Sequence, residues 1–398
     1  MRPRGATDAS VVQLAGPAPA GAVASIGSVA VGLDGGTASA AAKAGKQALT
    51  VPSLDGLRAF SFLLVFVAHA GLEGIVPGGF GVTVFFFLSG YLITTLMRQE
   101  FERYGDVSLK HFYLRRVLRI LPPFYLVLIA ATAASAGGVI PNPSLDPRAV
   151  AAQALHYANY WIVRHDSGGV APGTGVYWSL AVEEHFYFLF PWLYILLQRL
   201  KLSGRGQALV FWAICAAVLA WRCILIYGLH SGQQRTYLAT DTRVDNILFG
   251  CALAVYSNPM LDETSRSTSR LYRAVLLPLA VGALLVSFGV RDPDFRQSFR
   301  YSLQGIALYP IFIVAVRQPD FLPFRVLNLG WVKFLGMLSY SLYLVHQVIL
   351  YAAVRHLPWL PPVARGVLVL GVSVAISVAI YEVVEKPCAR VRKRLSQR

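Results

Sequence analysis

An all-α polytopic bundle of about ten transmembrane helices, with both termini on the cytoplasmic side, is the fold this sequence predicts. Three observations predict it: the composition, the recurrence of apolar runs long enough to span a bilayer, and the placing of cations between those runs. Of 398 residues, 56% are hydrophobic and 14% charged, whereas a soluble domain carries nearer a quarter charged. A net charge of +16 would suit nucleic acid if the basic residues shared one surface. They instead avoid the apolar runs and gather between them, which fits membrane topology and argues against a nucleic-acid partner. Cys215, Cys223, Cys251 and Cys388 lie in or beside apolar segments with no CxxC pair. They read as buried thiols, not as a disulfide framework or a metal site.

Residues 1–50 are rich in Ala, Gly and Ser and hold no aromatic residue. Gly21 to Leu33 is too interrupted to be the core of a signal peptide, so this stretch reads as a disordered cytoplasmic tail. The membrane domain is expected over 51–390, followed by a basic cytoplasmic tail over 391–398. Apolar runs of spanning length recur at about 57–72, 80–97, 121–137, 178–198, 207–227, 244–257, 273–290, 299–316, 333–353 and 365–384. The sixth is short and extends back through Arg243. The stretch 148–163 is amphipathic and is expected to form an outside interfacial helix.

Lys and Arg set the orientation. After even-numbered runs come Arg98, Arg103, Lys110, Arg115, Arg116 and Arg119, then Arg199, Lys201 and Arg205, then Arg266, Arg270 and Arg273. Arg317, Arg325 and Lys333 follow, and finally the Lys386–Arg398 tail. After odd-numbered runs such residues are few: none between Glu73 and Gly79, and only Arg148 and Arg164 between Gly138 and Val176.

Ionisable groups at membrane depth are expensive and point to function. Arg58 and His69 stand eleven residues apart in LDGLRAFSFLLVFVAHA, so they share nearly one helix face about 16 Å apart. Snorkelling by Arg58 and a backbone bond from His69 would explain the pair equally well. At the entry to the third run, Arg116 and Arg119 share a face beside Arg115. They are plain topology anchors or, with Arg58 at similar depth, a fork for a pyrophosphate. At the outer end, GVYWSLAVEEHFYFLFPW brings Trp178, Ser179, Glu183 and Glu184, TDTRVDN brings Arg243 and Asp245, and SYSLYLVHQ brings His346. Arg243 could simply pair with Asp245, and Trp178 could belong to an interfacial belt. Four helices bringing ionisable groups to one depth suggest general-base chemistry, with a carboxylate such as Glu183 setting the tautomer of His69. Ser89 in FLSGY is a weaker candidate nucleophile, since Ser-Gly inside a membrane helix is commonly a close-packing device. There is no GxSxG, HExxH or Walker loop, and no regular charge series.

The runs LDGLRAFSFLLVFVAHA, GVTVFFFLSGYLI, RRVLRILPPFY, WSLAVEEHFYFLFP, RVDNILFG, LGMLSYSLYLVHQ and YEVVEKP resemble, in content, order and spacing, the blocks of the membrane acyltransferase-3 family. That family comprises bacterial O-acyltransferases of surface polysaccharides, nodulation factors and macrolides, and the resemblance covers about residues 52–390. It implies an acyl-coenzyme A donor, most simply acetyl-coenzyme A, a sugar-like hydroxyl acceptor, and residence in the bacterial cytoplasmic membrane without a metal. The family's Arg-x10-His motif falls on Arg58 and His69, its RxxR motif on Arg116 and Arg119, and its WSLxVE block on Trp178, Ser179 and Glu183. The soluble esterase-like domain that some relatives carry after the last helix is not expected here. The expected mechanism has Arg58, Arg115, Arg116 and Arg119 hold the donor phosphates. His69 acts as base with Glu183 orienting it, and Trp178, Ser179, Glu184, Arg243, Asp245 and His346 line the acceptor side. The rival reading is a proton-coupled exporter, which should show internal repeats and discontinuous helices in matching halves.

Overall fold

The computed structural model describes residues 53–395 except Pro143 and Ser167; the tail expected over 1–50 and residues 396–398 lie outside the described residues. Every regular element among the described residues is helical. The expected runs become α1 (Leu54–Leu72), α2 (Gly78–Tyr104), α3 (Leu109–Ala136), α4 (Gly175–Arg199), α5 (Gly204–Gly228), α6 (Thr240–Val255), α7 (Arg266–Gly289), α8 (Phe299–Arg317), α9 (Gly330–His356) and α10 (Pro362–Leu395). Nine of these are long and apolar enough to cross a membrane by themselves; α6, with sixteen residues, is not.

Helix α6 nevertheless runs alongside α5 for most of the length of α5. The Arg222 guanidinium near the end of α5 donates to the carbonyl of Thr242 in the first turn of α6 at 2.6 Å. At the other end, a Cβ on Gly204 would stand 2.4 Å from the carbonyl oxygen of Val255. So α6 lies antiparallel to α5 from one end to the other, covering about 24 Å at 1.5 Å per residue. Its residues from Asp245 to Val255 are all buried. Protein, not lipid, surrounds it, so it needs no long apolar stretch and may carry Arg243 and Asp245.

The helices sort into centre and rim by burial. In α2, 78% of the most apolar window is buried, against 11% in α7 and 22% in α10, so α2 is central and the other two are peripheral. Leu279 and Leu285 on α7 and Val363 and Val367 on α10 are exposed; in water such faces would associate, and hydrocarbon covers them instead. Together these features make the chain a multi-pass integral membrane protein.

Two glycine contacts set how closely the central helices approach, as small residues allow. A Cβ on Gly90 of α2 would lie 2.0 Å from the carbonyl oxygen of Ile247, and one on Gly250 of α6 would lie 2.1 Å from that of Phe87. Gly90 of FLSGY is therefore a close-packing residue, while Ser89 beside it hydrogen-bonds Tyr187. Helices α1 and α9 meet similarly, with Gly336 so close to Asp55 that a Cβ would stand 1.8 Å from its carbonyl oxygen. The start of α1 is also clasped: Ser53 Oγ donates to the Ala315 carbonyl at 2.7 Å, and its backbone N–H donates to Asn328 Oδ1 at 3.0 Å. These contacts fix the register of α1 against α9.

Local signals mark the ends. Gly105 terminates α2 at φ 72°, and Ser108 caps α3 by accepting from the His111 amide. The stretch 148–163 departs from expectation. It forms two short helices, Pro147–Ala154 and Ala158–His165, broken at His156 with φ 56°. Gln153 and Asn159 are buried and tie the pair to Thr174 and to Leu238 and Thr240, so the segment is part of the fold's end and not a helix lying free in the interface. The boundary expected at 390 coincides with no break either, because α10 runs on to Leu395 and its last turns pack on α3.

Replacing Gly250 with Ala should lower the midpoint of thermal unfolding of the detergent-purified protein, at a cost of about 1–3 kcal/mol from overpacking. Gly371→Ala in α10, where nothing lies within 4 Å, should leave the midpoint unchanged or raise it.

Candidate active site

His69 and His346 meet at the end of the bundle opposite the arginine-rich segments. Helix α1 changes to a π turn over Ala68–Leu72, ended by Gly71 at φ 111°, a geometry that favours glycine. Such turns recur at functional sites because they re-aim one side chain within a helix. Here the His69 Nδ1 atom lies 3.0 Å from Nε2 of His346, with the two rings stacked at 5.3 Å between centroids. His346 is fully buried, its Nδ1 lies 2.8 Å from the carbonyl of Tyr343 and 3.2 Å from that of Leu342, and Phe62 and Phe66 pack against its ring.

His69 opens on a cleft of about 1100 Å³. Its walls come from the outer end of α9 (Gln347, Tyr351, Arg355), the turn before α6 (Gln234, Tyr237), Trp178 of α4 and the 140–176 segment, including Asn142. No carboxylate lines it among the described residues. Aromatic faces beside a few amide groups give the wall usual for small-molecule sites, apolar in area with a few convergent polar groups.

At the basic end a second cluster forms around Arg58, Arg116 and Arg119. Arg58 lies 3.5 Å from Asp55, and the Arg116 guanidinium lies over the rings of Phe112 and Tyr187. Neither Arg116 nor Arg119 forms an ion pair among the described residues, and the buried Nε of Arg116 has no hydrogen-bond partner. Arg115 is different: it pairs with Glu100 at 2.7 Å, and Glu100 also receives the Ser108 amide, so Arg115 ties α3 to α2. Two features here escaped the sequence reading. Arg392, on the last turns of α10, comes within Coulombic reach of Arg115 and Arg119. Glu385 accepts from Ser341 at 2.5 Å and faces Arg119. A helix read as ending in a loose tail hides such contacts.

The carboxylates are not where they were expected. Glu183 lies beside Ser89 and Tyr187, within reach of Arg119 and Arg58, and Ser89 Oγ and Tyr187 Oη are 2.5 Å apart. Glu184 neighbours Glu183 and Arg116. The partner of His69 is therefore His346 and not Glu183. The reason is depth: Trp178 is at the cleft, and five further residues carry Glu183 about 7.5 Å toward the basic end. Of the residues expected on the acceptor side, Trp178 lines the cleft. Ser179 is buried against Tyr343 Oη at 2.8 Å, and His346 stands behind His69.

Arg243 and Asp245 do not pair with each other directly. Arg243 is fully buried under the cleft floor in a box of Phe86, Trp178, Tyr237 and Tyr301, with Tyr301 closest at 4.2 Å, and donates to Asn246, Thr83 and the Tyr237 carbonyl. Asp245 pairs at 2.7 Å with Arg222, both fully buried. Arg222 also donates to Ser302 and to the carbonyls of Thr242 and Ser298. This network joins α5, α6 and α8 and is structural. Arg222 had a readable signal, a cation inside the fifth apolar run.

The class that this fold and site define is an integral membrane protein with a histidine on a cleft at one end of its helices and a cluster of arginines at the opposite end. The chain belongs to the acyltransferase-3 family: the family model, described as an acyltransferase domain, matches residues 51–382. It is similar to the peptidoglycan O-acetyltransferase OatA of Listeria monocytogenes, 28% identical over 85% of this chain and 55% of that protein. It is also similar to the O-acetyltransferase OatA of Staphylococcus aureus, 30% identical over 75% of this chain and 50% of that protein. The chain thus spans about half the length of the curated relatives it matches. No solved structure matches it.

Because Arg222 and Asp245 are both fully buried, Asp245→Ala should cost about 3–5 kcal/mol by stranding a charge. The double change Arg222→Met with Asp245→Leu should recover much of that loss in the thermal unfolding midpoint.

Proposed function

We propose that this chain is an O-acyltransferase that moves an acyl group from a coenzyme A thioester at the cytoplasmic face to a sugar hydroxyl on the other side of the bacterial cytoplasmic membrane. The observation that carries the reading is the opposition, on one helix, of Arg58 within an arginine cluster and His69 within a cleft, about 16 Å apart. The excess of Lys and Arg at the Arg58 end supports placing that end inside the cell. Arg116 and Arg119, free of carboxylate partners within ion-pair distance among the described residues, suit the phosphates of a long thin donor. Arg58 is positioned to share that load. The donor's extended arm would run past the Ser89, Tyr187 and Glu183 group toward His69.

In the reaction, Nε2 of His69 takes the proton of the acceptor hydroxyl as its oxygen bonds to the thioester carbonyl carbon. The carbon–sulfur bond then breaks and the thiolate leaves with that proton. Trp178, Tyr237 and Tyr351 offer faces for a sugar ring, and Asn142, Gln234 and Gln347 offer hydrogen bonds to its hydroxyls. The names of the two relatives favour acetyl as the group transferred, and the Listeria protein's name makes a peptidoglycan sugar the first acceptor to try.

Purified protein reconstituted in lipid, supplied with labelled acetyl-coenzyme A and a peptidoglycan disaccharide, tests this. His69→Ala should lower kcat by about 10²–10⁴-fold; equal transfer by both proteins would remove His69 from the chemistry. Arg116→Gln and Arg119→Gln should each raise the donor KM by about tenfold or more, the worth of a charge-assisted hydrogen bond, with the acceptor KM unmoved. An unchanged donor KM would return both arginines to topology.

A further inference from the structure

The hydrogen-bond inventory of the two histidines decides which nitrogen of His69 is the base. His346 Nδ1 faces only acceptors, the carbonyls of Tyr343 and Leu342, so it carries a proton. Its other nitrogen is then a lone-pair acceptor in the neutral ring. That nitrogen is the one 3.0 Å from His69 Nδ1, so His69 bears its proton on Nδ1. Its lone pair is left on Nε2, the nitrogen with no hydrogen-bond partner among the described residues. We infer that His346 is a positioning residue that holds His69 in the Nδ1–H tautomer, with its basic Nε2 presented to the acceptor in the cleft.

The inference rests on the acyl-transfer reading above and gives a role to a histidine expected to touch substrate. His346 is fully buried behind His69 and wedged by Phe62, Phe66 and Tyr343, so its ring cannot turn away. A neutral imidazole does here what a carboxylate does in the serine-hydrolase triads, orienting the base and accepting from its N–H. At membrane depth that choice matters, because a buried carboxylate would cost several kcal/mol in desolvation before the base had gained a charge to face it. When His69 takes the hydroxyl proton on Nε2, its Nδ1–H bond to His346 becomes charge-assisted and shortens. The other titratable or charged groups facing this pair are few: Glu73 just after α1, and Tyr237, Tyr351 and Arg355 around the cleft. Helix α10 meets the π turn of α1 through Gly366 against Ala70, with Arg365 the neighbouring residue on that helix.

The test compares His346→Phe, His346→Gln and His346→Asp with the native protein in the reconstituted acetyl-transfer assay, with His69→Ala as control. His346→Phe keeps an aromatic ring and removes the acceptor; kcat should fall about 10–100-fold with both KM values unchanged. The Gln side chain can accept from His69 Nδ1–H and should recover part of kcat. Asp would stabilise the protonated base, so the acid limb of the kcat profile should move to higher pH. Thermal unfolding midpoints confirm that each variant is folded. If His69→Ala is inactive while His346→Phe retains native kcat and an unmoved pH profile, His346 does not position the base and this inference fails alone. If His69→Ala keeps native activity, the acyl-transfer assignment of His69 fails first and takes the inference with it.

Discussion

Hydrocarbon offers no hydrogen bonds, so a chain that takes arginines, carboxylates and histidines to membrane depth must supply every partner from its own helices. The Arg222–Asp245 pair shows the cost being met in full. Its guanidinium reaches two carbonyls, a hydroxyl and a carboxylate, and the carboxylate is held in turn by Ser302 and the Asn246 amide. Arg243 meets the same demand with four aromatic rings and neutral acceptors. Both solutions require α6 to be enclosed by protein on every side, which explains why the shortest crossing helix is also the most buried.

The groups left less than fully partnered are then informative. Arg116 keeps a buried Nε without an acceptor, and His69 keeps Nε2 open to a cleft. They stand at opposite ends of the helix layer that α1 and α2 form with α3 and α9. The layer is held rigidly where it matters. Asp55 touches Gly336 at one end of α1, and His69 touches His346 at the other, so the spacing between the two ends is fixed by helix geometry and not by loops.

A proton-coupled exporter would be expected to have discontinuous helices in matching halves. The re-aimed turn in α1 is a π segment one turn long, kinked at Gly71 next to the end of the helix. Further π segments at Ile224–Gly228, Tyr272–Leu276 and Tyr381–Glu385 leave their helices continuous. The cleft is lined by aromatic and amide side chains and by Arg355, and no carboxylate among the described residues lines it.

Composition, run length and the spacing of Lys and Arg determined by themselves the all-helical class, the position of the nine helices among the described residues that are long and apolar enough to cross, and the Arg58–His69 axis. These are legible because the bilayer acts on each helix separately, through its own length and charge. The Arg116–Arg119 pair was legible for the same reason, as an i,i+3 face. What one helix does to another was not. Glu183 stood on the right helix, but its partner depended on where α4 begins relative to α1. Asp245 was read beside Arg243 because they are neighbours in sequence, whereas a helical turn points them to different sides and α5 brings Arg222 between α6 and α8. His346 was read as a substrate contact, and only the packing of α9 on α1 placed it behind His69. Tertiary structure decided these because a membrane helix shows the lipid's demands in its sequence, while its choice of partner is settled by rotation about its axis, which hydropathy does not record.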